Sequence, residues 1–133
     1  MNMKTKTEKI FELSAPYDNP YQGKYPKVLF VCSAGILRSA TAAYWFGSKF
    51  GWNTRSAGSA PYALVPLSVN LVTWADTIYF VAEENYQEAK KAFEDFLDLG
   101  EMESKSKVLD IPDIYNYRDP DLIYKLEEQI NAK

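Results

Sequence analysis

A chain of 133 residues, 47% hydrophobic and 25% charged, is long enough to bury one core and too short for two ordinary domains. Its net charge of −3 comes without a basic tract, which argues against nucleic acid as a partner. A single cysteine excludes an internal disulfide and a cysteine-rich zinc site. With no histidine, acid–base work near neutral pH falls to carboxylates, tyrosines, lysines or the cysteine itself.

Residues 1–26 read as an irregular extension, polar at first and then rich in tyrosine and proline, ahead of one domain over 27–133. The basic first residues lack the apolar core of a signal peptide, so a cytoplasmic location is expected. Val28-Leu29-Phe30-Val31 predicts a buried parallel strand ending at Cys32. Ser39 is positioned to cap a helix whose apolar face is Ala40, Ala43, Tyr44, Phe46 and Phe50 and whose stop is Gly51. A second strand over 53–57 leads to a loop from Gly58 to Pro66, a short helix from Ser68 to Trp74 and a third strand over 77–81. The stretch 56–75 is uncharged, but Pro61, Pro66 and Asn70 break it, so no membrane span is expected.

From Glu83 to Leu99, Tyr86, Ala89, Phe93, Phe96 and Leu97 recur at helical spacing, with Gly100 ending the run. A fourth strand over 107–110 precedes a loop from Ile111 to Arg118, and Leu122, Ile123, Leu126 and Ile130 mark a last helix. Strands alternating with helices predict an α/β fold, a four-stranded parallel sheet with helices on both faces. Ligands of such sheets sit at the carboxyl ends of the strands, where Cys32, the 56–62 loop and the loop after Asp110 all lie.

Cys32 and Arg38 are the informative pair. Between them Ser33, Ala34, Gly35, Ile36 and Leu37 can turn their N–H groups inward as an anion nest, and the following helix adds its positive end. Gly35 permits the positive φ that such a loop demands. A thiolate at the base of this cup can attack phosphorus while the guanidinium grips two phosphate oxygens. Ser39 can hydrogen-bond the sulfur as well as cap the helix. The leaving oxygen needs a proton donor, and Asp110, Asp113 and Asp119 are the candidates. Asp119 precedes Pro120 and reads as a helix cap, and Asp110 closes a strand, so Asp113 at the loop tip is preferred.

Val31-Cys32, five residues, then Arg38-Ser39; Ser56-Ala57-Gly58-Ser59; Ala75-Asp76-Thr77-Ile78; and an aspartate with a nearby tyrosine in the penultimate loop together resemble the low-molecular-weight protein tyrosine phosphatases. The resemblance spans nearly all of 27–133, and residues 108–113 and 119–123 look like a compact bacterial and viral branch of predicted phosphatases. It implies that Cys32 forms a phosphocysteine, Arg38 binds phosphate within the 33–38 loop, Asp113 protonates the leaving group and then activates water, and Tyr62 and Tyr115 wall the cleft. The implied substrate is a phosphotyrosine protein or another aryl or small phosphomonoester, with no cofactor and no metal.

Three departures stand out. The family has glycine then asparagine where this chain has Ala34 and Gly35, so the asparagine's supporting hydrogen bonds are expected to be missing. Leu37 replaces a cysteine that protects the nucleophile in many members, and the supporting histidine is absent. Two other readings follow: an oxyanion-binding module with weak or no turnover, and an arsenate reductase that uses an external thiol.

Overall fold

The computed structural model describes residues 25–95 and 99–130. The elements in chain order are β1 (Lys27–Cys32), α1 (Arg38–Phe50), β2 (Asn53–Gly58), α2 (Val69–Trp74), β3 (Thr77–Phe80), α3 (Glu83–Phe93), α4 (Leu99–Ser104), β4 (Ser106–Val108) and α5 (Pro120–Ile130). The strands form one sheet in the order β2-β1-β3-β4, and every pair is parallel, with Cys32 opposite Gly58 and Val31 opposite Phe80.

Alternation along β1 builds two core layers. Val28, Phe30 and Cys32 face one side, where Ala42 and Phe46 of α1 and Leu122, Leu126 and Ile130 of α5 pack over them. Leu29 and Val31 face the other, against Leu71 and Val72 of α2, Ala89 of α3 and Met102 of α4. The continuous apolar run of β1 is thus explained by burial on both faces, as expected for a central parallel strand. Phe30 stacks between Phe46 and Tyr79 at ring distances of 5.9 and 5.4 Å, which ties the strand to α1.

Several helix ends follow local chemistry. Ser68 Oγ accepts from the Leu71 N–H at 3.1 Å and caps α2. Gly51 closes α1 in the left-handed region, at φ 72°. Asp119 Oδ1 accepts from the Asp121 N–H at 2.9 Å, with Pro120 opening α5.

Four expectations need correction. Ser39 does not cap α1: it lies inside the helix, Leu37 holds the cap position, and no side chain bonds there. The buried face of α1 is Arg38, Ser39, Thr41, Ala42 and Phe46, because small side chains let the helix approach the sheet; Tyr44 stays outside. Of the helix expected over 83–99, α3 ends at Phe93, and Gly100 lies within α4 rather than ending a run. β4 ends at Val108, beyond which Gln129 grips the Asp110 backbone, accepting from its N–H at 2.6 Å and donating to its carbonyl at 2.9 Å. Phe96, Leu97 and residues 1–24 of the expected extension lie outside the described residues. Among the described residues no helix is long and apolar enough to cross a membrane.

Candidate active site

Strand β1 delivers Cys32 to the carboxyl edge of the sheet, and the 33–37 loop turns back over it into α1. The Gly35 N–H donates to Cys32 Sγ at 3.2 Å, and Ser39 Oγ lies 3.0 Å from the same sulfur. Two polar groups therefore converge on a buried thiol. Gly35 reaches this geometry at φ 84°, a conformation costly to any residue with a Cβ. With no side-chain cap on α1, its first amides are left for another acceptor, and the helix dipole is positive there.

Arg38 opens α1 and is 1% exposed. Its Nη1 donates to the Ile111 carbonyl at 2.8 Å and its Nη2 to Ser33 Oγ at 3.3 Å. Nε is buried without a hydrogen-bond partner, 3.6 Å from Asp113 Oδ1. Two of the five guanidinium N–H donors thus fix the group, and three, the Nε–H among them, remain for an oxyanion. Asp113, 59% exposed at its side chain, stands over this gap.

The resulting cleft, about 160 Å³, is lined by Cys32, Ser33, Ala34, Ile36, Leu37, Arg38, Tyr62 and Asp113. Tyr62 reaches it from the loop after β2. That loop is sewn to the Cys32 loop: the Ala60 N–H donates to the Ser33 carbonyl at 3.1 Å and the Leu64 N–H to that of Ala34 at 3.1 Å. Tyr115 is not among the lining residues; it is half-buried against the core layer beneath α1 and α5. Of the other two aspartates, Asp119 caps α5, and the backbone of Asp110 is held by Gln129.

The loop carrying Asp113 is tied to α1 through Arg118. The Arg118 N–H donates to Thr41 Oγ1 at 2.8 Å, and its guanidinium lies 3.5 Å from the Tyr44 ring centre. Arg118 adopts φ 61°, so these contacts hold a non-glycine residue in the left-handed region. They also explain why Tyr44 faces outward, against the sequence expectation.

Sequence reasoning missed Asn85. It lies in the first turn of α3, fully buried, and its Nδ2 donates to Ser33 Oγ at 3.2 Å and Ser59 Oγ at 3.1 Å. Ser59 Oγ donates in turn to Glu88 Oε1 at 2.8 Å. Ser33 is therefore held jointly by Arg38 and Asn85. The signal was available: Asn85 precedes Ala89 by four residues, so it shares the buried face of a helix beginning at the carboxyl edge of the sheet.

A four-stranded parallel sheet in this order, with a cysteine-to-arginine loop after its first strand, is the low-molecular-weight phosphatase fold. The particular solved structure it is similar to is that of a YwlE mutant from Bacillus subtilis. The TM-score is 0.50 at 23% sequence identity, over 62% of this chain and 70% of that one. The likeness is one of fold. Neither a protein-family model nor a curated protein matches the chain.

Proposed function

We propose that this chain is a cysteine-dependent phosphomonoester hydrolase acting on phosphotyrosine through a phosphocysteine. The observation that carries the reading is the convergence of the Gly35 N–H and the Ser39 hydroxyl on Cys32 Sγ, beside a buried Arg38 whose Nε has no hydrogen-bond partner. Those groups surround the nucleophilic sulfur with hydrogen-bond donors and suit a phosphoryl group above it.

In the first step the Cys32 thiolate forms the S–P bond as the P–O bond to the aryl group breaks. Asp113 gives its proton to the leaving phenolate oxygen, while Arg38 and the loop amides hold the equatorial oxygens. In the second step Asp113, now a carboxylate, takes a proton from the attacking water. The P–O bond to water forms, the S–P bond breaks, and phosphate leaves with Cys32 again a thiolate. Ser39 stabilises that sulfur as leaving group.

The test is turnover of para-nitrophenyl phosphate and phosphotyrosine by the full chain. Cys32→Ser should abolish it while tungstate still binds, and Asp113→Asn should slow poor leaving groups by about 10² with less effect on good ones. Intact turnover in Cys32→Ser, or loss of activity on adding EDTA to the parent, would sink the mechanism. Tungstate binding with no turnover in the parent would favour the oxyanion-binding module.

A further inference from the structure

Four large apolar side chains on the loops that build the cleft stand in water. Ile36 is 40% exposed, Tyr62 70%, Leu64 72% and Ile114 75%. Ile36 and Tyr62 line the cleft, the Leu64 backbone is bonded to the Ala34 that also lines it, and Ile114 follows Asp113. One residue in four along the whole chain is charged, yet the segments 33–37, 59–67 and 111–118 beside the opening contain two charged residues, Asp113 and Arg118, and the Arg118 guanidinium lies over the Tyr44 and Tyr117 rings. Large apolar side chains left in water around a polar pocket mark a contact surface.

We infer that this mouth receives phosphotyrosine embedded in an apolar, uncharged stretch of polypeptide, a specificity that rests on the phosphatase reading above. The phosphate pocket fixes the centre of such a ligand. Leu64 and Ile114, exposed on the two loops that bring Tyr62 and Asp113 to the cleft, then offer apolar surface to the residues flanking the phosphotyrosine. An acidic flank would lose hydration against these side chains and meet the Asp113 carboxylate. A sugar phosphate or a free nucleotide would leave the apolar rim uncovered. A phosphorylated lipid in an anionic bilayer fits less well, because these segments hold no lysine and a single arginine, Arg118, whose guanidinium lies over the Tyr44 and Tyr117 rings.

The experiment uses full-length chain and a set of phosphotyrosine peptides of equal length whose flanks are leucine and valine, serine, glutamate or lysine. Kd is measured on Cys32→Ser and kcat/KM on the parent, with para-nitrophenyl phosphate as baseline. Peptides with apolar flanks should bind and react about tenfold better than those with glutamate. The pair Leu64→Ser and Ile114→Ser should erase that advantage and leave para-nitrophenyl phosphate turnover within about twofold. Equal or better binding of glutamate-flanked peptides would overturn the inference, as would sedimentation with phosphoinositide vesicles combined with no peptide preference. Binding needs no chemistry, so absent turnover with a preserved peptide ranking would refute the phosphatase reading alone.

Discussion

Gly35 is the position at which backbone geometry and proposed chemistry meet, and replacing it separates two costs. An added Cβ would lie 2.8 Å from the Gly58 nitrogen, 2.9 Å from the Ala57 carbonyl carbon and 3.2 Å from the Val65 oxygen. All three are backbone atoms of β2 or of the loop bonded to it, so none can swing aside as a side chain end does. The φ of 84° adds a cost of about 1–2 kcal/mol for alanine. Overpacking against fixed backbone adds about 1–3 kcal/mol. Gly35→Ala should therefore lose about 2–5 kcal/mol, out of the roughly 5–15 kcal/mol that holds an ordinary domain together.

Asparagine tolerates the left-handed region, so Gly35→Asn removes most of the dihedral cost and keeps the collision. Its larger side chain meets the same backbone atoms, so it should be no more stable than the alanine variant. The assay is urea unfolding, with a lowered midpoint and an unchanged slope as the expected signature. The same variants should lose tungstate affinity and about 10²-fold in turnover, because the Gly35 N–H can no longer sit 3.2 Å from the sulfur. If Gly35→Ala unfolds within about 0.5 kcal/mol of the parent and binds tungstate equally well, the packing argument fails, since a change that small is typical of open surface.

Two further outcomes follow from the same structure. Asn85→Ala removes the shared support of Ser33 and Ser59 and should weaken tungstate binding about tenfold; adding Ser33→Ala should then cost little more, and strictly additive losses would show that the two do not act as a unit. Tyr79 is buried beneath the sheet's aromatic stack, and desolvation raises its phenol above the ordinary value of 10.0. Its contribution is whole below that value and is lost as pH rises from there through the raised folded value, because the unfolded phenol ionises first. Tyr79→Phe should therefore flatten part of the fall in urea midpoint between about pH 9 and pH 11; Tyr86, raised by burial and then by Glu103 and Glu83, leaves a residual slope. An identical slope in Tyr79→Phe would contradict that account.

The sheet was legible because its signals are local: a β-branched run, a helical period, an aspartate ahead of proline. What failed was what depends on the partner surface. The inward face of α1 is chosen by how closely the helix approaches β1 and β2, so Ser39 and Ala42 go in and Tyr44 goes out to meet Arg118 from a loop 74 positions later. Periodicity alone cannot weigh a cation–π contact across that distance.

The expected loss of support in the phosphate loop shows how spacing misleads when a site is read one segment at a time. With Gly35 in place of the family's asparagine, the loop appeared to lack its internal brace. In the folded chain Gly35 lies so close to Gly58 and Ala57 that no side chain fits there at all. The bracing instead arrives from α3, where the buried Asn85 amide holds Ser33 while Arg38 holds it from the other side. A glycine that lets the loop close onto β2 and an asparagine from a different element are therefore two halves of one arrangement. Gly35 acts on the oxyanion site through the Cys32 sulfur and Asn85 through the Ser33 hydroxyl, so the two support neighbouring parts of one loop.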